Sequence, residues 1–329
     1  MRLIALEEAF SIPRLSDRFP GLTDLGPIPV SPEFGRHVAR RLPDFTELRL
    51  PEMDRYGVDV QVLSHTAPGL QAGLSAEDAV AAARFANDYL ANVVAEHPAR
   101  FAGFAALPMQ DPPAAAAELR RAVEELGFRG ALVNDHTGSR YLDDPGYERF
   151  WTTLEELDVP LYLHPGAPPA EQWQVTDGCA ELIGPTFTWG AQTGGHALRL
   201  LYSGVFDRHP GARLILGHMG EYLPFMLSRL DSRYATLAPG RTLDRAPSAY
   251  VGTNILITLS GVQSPAALAG AILAIGADAI LFAIDYPYEF TGPATTAFAG
   301  AALSDADRHK IAHGNAERLL KLRPWTESA

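Results

Sequence analysis

The segment Asp158-Val159-Pro160-Leu161-Tyr162-Leu163-His164-Pro165 contains a short apolar run, rich in residues that favour β-strands, and ends in a histidine followed by proline. Before it lies Tyr147–Leu157, where apolar residues recur at helical spacing. The same alternation continues in both directions along the chain. The apolar runs are Leu3–Leu6, Val58–Ser64, Phe101–Leu107, Gly130–Asn134, Pro160–His164, Arg213–His218, Ile255–Ser260 and Ile280–Asp285.

Helical patterns separate most of these runs. They include Ala76–Glu96, Pro113–Leu126, Glu221–Tyr234 and Ala266–Ile275. Alternating strands and helices imply parallel strands joined by right-handed crossovers. Eight such units predict an α/β fold, a (β/α)8 TIM barrel. A doubly wound sheet is the alternative, but no glycine-rich phosphate turn follows the first run.

The domain organisation follows from what interrupts this alternation. No linker or internal repeat divides the chain, so residues 1–329 are predicted to form one barrel domain. Loop insertions are expected at about residues 13–41 and 166–184, after the first and fifth runs. Long loops at the carboxyl ends of barrel strands are often functional.

Composition excludes several classes of protein. The net charge is −12 and no Lys/Arg-rich run is present, which argues against nucleic-acid binding. No apolar run approaches the roughly 20 residues that span a bilayer, and no signal-peptide pattern is present, so a cytoplasmic location with no membrane partner is expected. The only lysines are Lys310 and Lys321, both late in the chain. Neither is placed to form a Schiff base or to bridge two metals.

Four apolar runs end in polar residues of the kind that bind metals. Glu7, His164, His218 and Asp285 would all lie at one rim of a barrel, where active sites are built. Each alone has an ordinary explanation, such as a structural histidine or a capping aspartate. Together they form a ligand set that suits Zn²⁺ or Mn²⁺.

Strand alternation distinguishes the two adjacent glutamates. If the first run has no bulge, Leu3, Ala5, Glu7 and Ala9 share one face and Glu8 faces the other way. We therefore place Glu7 inside the barrel. His65 and His136 follow the second and fourth runs. Each is expected either to be structural or to support the metal ligands from behind. The remaining histidines are expected to be solvated at the surface. They are His37, His97, His196, His209, His309 and His313.

Motifs in most of the chain resemble the dihydroxybenzoate and 5-carboxyvanillate decarboxylases of the amidohydrolase superfamily. The segments that carry the resemblance are Ala5–Phe10, Ala86–Asp88, Pro108–Pro112, Leu126–Gly130, Asp158–Pro165, Gly217–Glu221, Asp285–Tyr288 and Asn315–Leu319. The resemblance implies a metal-dependent hydrolase-like barrel that holds one divalent ion, Zn²⁺ or Mn²⁺, through Glu7, His164 and Asp285. Many superfamily members have a histidine where this chain has Ala9.

The resemblance also implies roles around the metal. His218 would lie beside it with Glu221 behind, and these two with Asp285 form the predicted catalytic set. Arg229 and Tyr288 match substrate-contacting residues. A carboxylate-binding arginine is expected after the first run, where Arg36, Arg40 and Arg41 all remain candidates. Aromatic residues expected to line the pocket are Phe10, Trp189, Tyr286 and Phe290, besides Tyr288.

The predicted activity is that of a carboxy-lyase, a non-oxidative decarboxylase of an ortho-hydroxylated aromatic acid. Ring-carbon protonation by Asp285 would precede loss of CO₂. A phenolic carboxylic acid is the expected partner, and a homo-oligomer, dimer or tetramer, the expected assembly. One alternative is a hydrolase or hydratase of the same superfamily acting on an aromatic-derived or lactone substrate. Another is a metal-free barrel that only binds an aromatic acid.

Overall fold

The structure, a computed structural model, describes residues 1–20, 22, 30–71, 73–166, 173–237 and 240–323. Parts of both predicted loop insertions, among them Pro168 and Pro169, lie outside the described residues. The strands are β1 Ile4–Phe10, β2 Val60–His65, β3 Phe101–Gly103, β4 Ala131–Asn134, β5 Leu161–His164, β6 Leu214–Leu216, β7 Ile255–Thr258 and β8 Ile280–Leu281.

The strands close into a barrel. Parallel ladders join β1 to β3 in sequence order and β4 to β8 in sequence order. Two isolated parallel bridges, Leu6 with Ala283 and Ala105 with Ala131, connect these two sets. At the first bridge the Leu6 N–H donates to the carbonyl of Phe282 at 3.1 Å. The predicted (β/α)8 barrel is therefore confirmed.

Helices surround the barrel. They are α1 Leu15–Arg18, α2 Pro32–Arg41, α3 Arg49–Tyr56, α4 Ala76–Glu96, α5 Pro112–Glu124, α6 Glu148–Leu157, α7 Thr188–Tyr202, α8 Val205–Arg208, α9 His218–Glu221, α10 Leu227–Thr236, α11 Pro265–Ile275, α12 Thr291–Gly300, α13 Asp305–His309 and α14 Asn315–Leu319, with a π-helical turn at Lys310–Gly314. Among the described residues, no helix combines the length and apolar character needed to span a bilayer.

Local sequence explains where several helices begin. Ser75, Asp111 and Ser264 cap α4, α5 and α11 by accepting a backbone N–H from three residues further on. The caps of α5 and α11 are followed by proline, which is favoured in the first turn because its missing N–H would have no partner there. The predicted helix Ala76–Glu96 agrees with α4 at both ends.

The predicted helix Glu221–Tyr234 is wrong over its first turn. Met219, Gly220, Glu221 and Tyr222 all have positive φ, so the chain makes a left-handed turn before α10 begins at Leu227. Gly220 is required there, since a Cβ would lie 2.6 Å from Cγ2 of Ile257. The turn places His218 and Glu221 at the carboxyl end of β6.

The apolar core has two layers. Every strand contributes to a cluster inside the barrel, which includes Ile4, Leu6, Val62, Phe104, Leu132, Ile215, Leu256 and Leu281. Alternate residues, such as Leu3 and Ala5, pack outward in the larger cluster that includes the helices. The expectation that Leu3 and Ala5 share a face with Glu7 is therefore wrong.

A β-bulge in β1 still turns Glu7 inward. The register of β1 on β2 shifts between Ala5, which pairs with Gln61, and Glu8, which pairs with Leu63. Glu7 within this shift has φ 70. The bulge inserts one residue into the alternation, so Glu7 follows Leu6 into the interior.

Candidate metal centre

Glu7, His164 and Asp285 come together at the carboxyl end of the barrel. Glu7 lies at the bulge within β1, His164 ends β5 and Asp285 follows β8. One ligand atom from each lies within 4.8 Å of the others. A carboxylate, an imidazole and a second carboxylate are a donor set that Zn²⁺ and Mn²⁺ accept.

The Glu7 carboxylate is fixed at one oxygen and free at the other. Its Oε2 accepts a short hydrogen bond from the Tyr162 hydroxyl and lies 3.4 Å from Oγ1 of Thr258. Its Oε1 is buried and has no hydrogen-bond partner within the described ranges. A Cβ at residue 217 would come within 2.6 Å of this Oε1, so Gly217 leaves it the space it occupies. A buried carboxylate oxygen without a partner is suited to a cation.

His164 presents a lone pair to the same point. Its Nδ1 lies 2.8 Å from the carbonyl of Pro165, which only accepts hydrogen bonds, so Nδ1 carries the proton. The unprotonated Nε2 lies 3.7 Å from Oε1 of Glu7. Burial lowers the pKa of His164, which favours the neutral imidazole that binds metals.

His218 stands beside this triad with Glu221 behind it. Its Nδ1 lies 2.6 Å from Oε1 of Glu221, and its Nε2 lies 3.5 Å from Oε1 of Glu7 and 3.7 Å from Oδ2 of Asp285. Burial acts to lower the pKa of His218. The negative charges of Glu7 and Glu221, with the hydrogen bond to Glu221 and the nearby Asp285 carboxylate, outweigh burial and raise this pKa well above its ordinary value.

Asp285 has a strained backbone, with φ 76, and its neighbours are held by Glu8. Glu8 accepts the N–H of Ile284 at 2.9 Å and that of Tyr286 at 3.2 Å. Burial raises the pKa of Asp285 to about 7 in the metal-free chain, and the charge of Glu7 adds to this shift while the nearby His218 imidazole opposes it.

A small cavity opens on the triad. Its wall is made by Glu7, Ala9, Ser64, His65, Thr66, Ala67, Leu132, Asn134, His164, Asp285 and Tyr288. The Tyr288 hydroxyl lies 2.6 Å from Oγ1 of Thr66. Because Ala9 offers only a methyl group, the cavity wall there is apolar and open.

Comparison with known proteins identifies the family. A sequence profile described as Amidohydrolase matches residues 20–322. The chain belongs to the amidohydrolase family. It is 43% identical over 327 residues to γ-resorcylate decarboxylase of Rhizobium sp. (strain MTP-10005), a match that covers 97% of this chain and 98% of that protein.

Two solved structures show the same relationship. One is dihydroxybenzoic acid decarboxylase of Polaromonas sp. JS666 with bound manganese and the inhibitor 2-nitroresorcinol. It is 43% identical to this chain with a TM-score of 0.90, and the match covers 98% of this chain and 97% of that one. The other is 5-carboxyvanillate decarboxylase of Sphingomonas paucimobilis, which is 37% identical with a TM-score of 0.89. That match covers 98% of this chain and 99% of the other. The resemblance drawn from the motifs is confirmed.

The structure places the three residues predicted to contact substrate in different parts of this amidohydrolase. Tyr288 lines the cavity. Phe10 is buried in the outer core, where its ring packs on Phe45, His65 and Tyr89, so its position does not support substrate contact. Arg229 is exposed on α10.

The three arginines predicted as candidates for binding the substrate carboxylate, Arg36, Arg40 and Arg41, lie on α2. Arg36 and Arg40 are exposed, and Nε of Arg41 lies 3.5 Å from Oε2 of Glu52. Among the other predicted aromatic residues, Phe290 is 52% exposed and Tyr286 is buried.

Sequence reasoning missed a buried arginine. Arg49 is fully buried, donates to the carbonyl of Ala9 at 2.6 Å and to Oε1 of Gln61 at 3.0 Å, and lies over the ring of Tyr286. It therefore supports the end of β1 from behind. In sequence it is one arginine among many, and no local signal distinguishes it.

The expectation of a solvated His196 is also wrong. His196 is buried in α7, with Nδ1 2.5 Å from Asp135 and Nε2 accepting the N–H of Leu142 at 3.0 Å. His209 and His313 are likewise buried. Asp135 after β4 holds His196, and Glu148 of α6 lies 2.9 Å from Nε2 of His209, so residues far away in sequence bury these two histidines.

Proposed function

We propose that this chain is a metal-dependent carboxy-lyase that removes CO₂ from an ortho-hydroxylated benzoate. The observation that carries the proposal is the buried Glu7–His164–Asp285 triad in a chain that matches decarboxylases over nearly its whole length. The related proteins named above act on dihydroxybenzoates or on 5-carboxyvanillate, according to their names.

The proposed cofactor is one Mn²⁺ or Zn²⁺ ion held by Glu7, His164 and Asp285. When bound, the ion supplies a positive charge that orients a carboxylate and an ortho-phenolic oxygen. Manganese in the Polaromonas enzyme supports this assignment. Oε1 of Glu7, which has no hydrogen-bond partner among the described residues, and the unprotonated Nε2 of His164 fit a cation.

Asp285 is the proposed proton donor to the ring. Its proton passes to the ring carbon that bears the carboxylate, which interrupts aromaticity while the ortho oxygen donates electrons. The bond to the carboxylate then breaks, its electron pair restores the aromatic ring, and CO₂ leaves. Asp285 regains a proton from solvent, with His218 and Glu221 as the proposed relay.

The remaining roles follow from position. Tyr288 is proposed to contact the substrate, because it lines the cavity. Arg229 remains a candidate for substrate binding, although it lies exposed on α10. We also propose a single domain over residues 1–329, a homo-oligomer and a cytoplasmic location.

The test is elemental analysis of the purified protein followed by CO₂ release from a panel of 2-hydroxybenzoates, with and without chelator. We expect about one Mn²⁺ or Zn²⁺ per chain and CO₂ release that chelator abolishes. A hydrolase of the same family would use the same ligands, so hydrolysis of lactones and amides is assayed in parallel. Metal without CO₂ release from any 2-hydroxybenzoate would overturn the proposal.

A further inference from the structure

Three buried hydroxyl groups form a row inside the barrel. They belong to Tyr162 of β5, Thr258 of β7 and Ser260, which follows β7, and all three residues are fully buried. Oη of Tyr162 lies 3.0 Å from Oγ1 of Thr258, which lies 3.0 Å from Oγ of Ser260. One end of this hydroxyl row accepts the backbone N–H of His218 at 3.0 Å, and the other end donates to Oε2 of Glu7. The row therefore connects the metal triad with the turn that carries His218.

The two ends fix the direction of every hydrogen bond in the hydroxyl row. The N–H of His218 only donates, and a ligating Glu7 is a carboxylate, which only accepts. Each hydroxyl has a single hydrogen. Since Ser260 accepts from the N–H, its own hydrogen goes to Thr258, and Thr258 in turn donates to Tyr162. Reversing a link would leave a buried hydroxyl hydrogen without an acceptor among the described residues. All the bonds point toward Glu7, and bonds aligned in this way polarise one another.

The carboxylate of Glu7 is thereby held with one oxygen in the hydroxyl row and the other facing the triad. Its Oε2 accepts from Tyr162 and has Oγ1 of Thr258 at 3.4 Å. A Cβ at residue 217 would lie 2.6 Å from Oε1 and 2.9 Å from Oε2, so Gly217 lets the carboxylate pack against the backbone. Turning both oxygens toward one ion would break the bond from Tyr162 and leave its buried hydroxyl unpaired, which costs free energy.

We propose that Tyr162 is a positioning residue that makes Glu7 a one-oxygen ligand of the metal. This inference rests on the proposed function, in which Glu7 is a ligand. A one-oxygen ligand leaves coordination positions free, which an ion needs if it is to orient two oxygens of a substrate. Removing a group that holds a metal ligand from behind typically lowers metal affinity by about 10- to 100-fold. Tyr162 thus acts through Glu7, from the interior of the barrel.

The experiment measures the binding of Mn²⁺ to the chelator-treated protein by calorimetry and the visible absorption of the Co²⁺-loaded protein, whose bands depend on the number and arrangement of the ligands. Y162F removes only the hydroxyl that donates to Glu7. We expect its Kd for Mn²⁺ to rise about tenfold, and its Co²⁺ bands to change because both oxygens of Glu7 can then reach the ion. T258V is nearly isosteric and removes the donor behind Tyr162, so its Kd should rise less, by about threefold.

Y147F is the matched control. Tyr147 is also fully buried, but its hydroxyl donates to the carbonyl of Met109 at 2.7 Å, outside the triad and the hydroxyl row. Its Kd and its Co²⁺ bands should equal those of the wild type. Unchanged Co²⁺ bands in Y162F, with or without a raised Kd, or equal changes in Y147F, would overturn the inference, and so would a wild type that binds neither ion. If metal binds but no 2-hydroxybenzoate releases CO₂, the proposed function fails, while the bands and affinities still decide the inference.

Discussion

At the scale of single residues, His218 depends on Glu221 for both orientation and charge. The hydrogen bond between Nδ1 and Oε1 is 2.6 Å long, and Glu221 is buried. Its carboxylate lies behind the imidazole and is not in the triad. Removing its charge should therefore affect the chemistry of His218 more than the binding of metal.

We expect Glu221→Gln to lower kcat by about 10- to 100-fold while the metal content stays near that of the wild type. The reason is that the amide keeps the shape of the side chain but no longer holds the pKa of His218 up. Steady-state kinetics and elemental analysis on the same preparations measure both quantities. Glu125→Gln, an exposed change at the end of α5, is the control. Loss of metal in Glu221→Gln would instead make Glu221 part of the ligand set.

The residues at strand ends were predictable from sequence, and those that support them were not. Glu7, His164 and Asp285 stand where apolar runs stop, so position along the strand was enough to bring them together. Arg49 and Glu8 act through backbone groups far away in sequence, such as the carbonyl of Ala9 and the N–H of Tyr286. Pairing of this kind depends on the closed fold.

At the scale of elements, periodicity predicts strands and helices but misses the places where it is broken. The bulge in β1 and the left-handed turn after β6 both interrupt a regular pattern, and both put site residues in place. Strict alternation from Ile4 and Leu6 would have put Glu8 inside. Backbone irregularities of this kind are set by neighbouring strands, and functional sites often contain them.

Glu8 ties β1 to the segment after β8, and its titration gives a test of that link. Burial raises the pKa of Glu8 to about 8, although backbone hydrogen bonds and Arg49 oppose the shift. An unfolded glutamate has a pKa of about 4.3. Between these two values the folded chain therefore binds the additional proton, and stability falls as pH rises.

We expect the free energy of unfolding of the metal-free protein to decrease from pH 5 to pH 8. The decrease should be steeper than in Glu8→Gln, whose amide cannot titrate, by up to about 1.4 kcal/mol per pH unit. Denaturant unfolding of both proteins at several pH values measures the two slopes. Parallel slopes would mean that Glu8 is ionised in the fold and paired with Arg49.

At the scale of the whole molecule, the three side chains of the triad come from different parts of one closed sheet. Glu7 lies on the β1–β3 ladder, whereas His164 and Asp285 belong to or follow the β4–β8 ladder. Backbone hydrogen bonds join the two ladders at both junctions, such as that from the Ala9 N–H to the Tyr286 carbonyl at 2.7 Å and that from the Leu132 N–H to the Ala105 carbonyl at 3.1 Å. A metal held by all three side chains would add a further link between the two ladders, and its binding free energy would stabilise the fold.

We expect Mn²⁺ at about 100 times its dissociation constant to stabilise the chelator-treated protein by about 2.7 kcal/mol, which raises the Tm of a chain of this length by roughly 4 °C. Thermal unfolding with and without Mn²⁺ measures the shift. Glu7→Gln should lose most of it, because the free oxygen that faces the site becomes an amide. Glu77→Gln, an exposed change in the first turn of α4, should keep it. If Glu7→Gln kept the full shift, Mn²⁺ would be binding elsewhere on the acidic surface, and the metal would add no link between the two ladders.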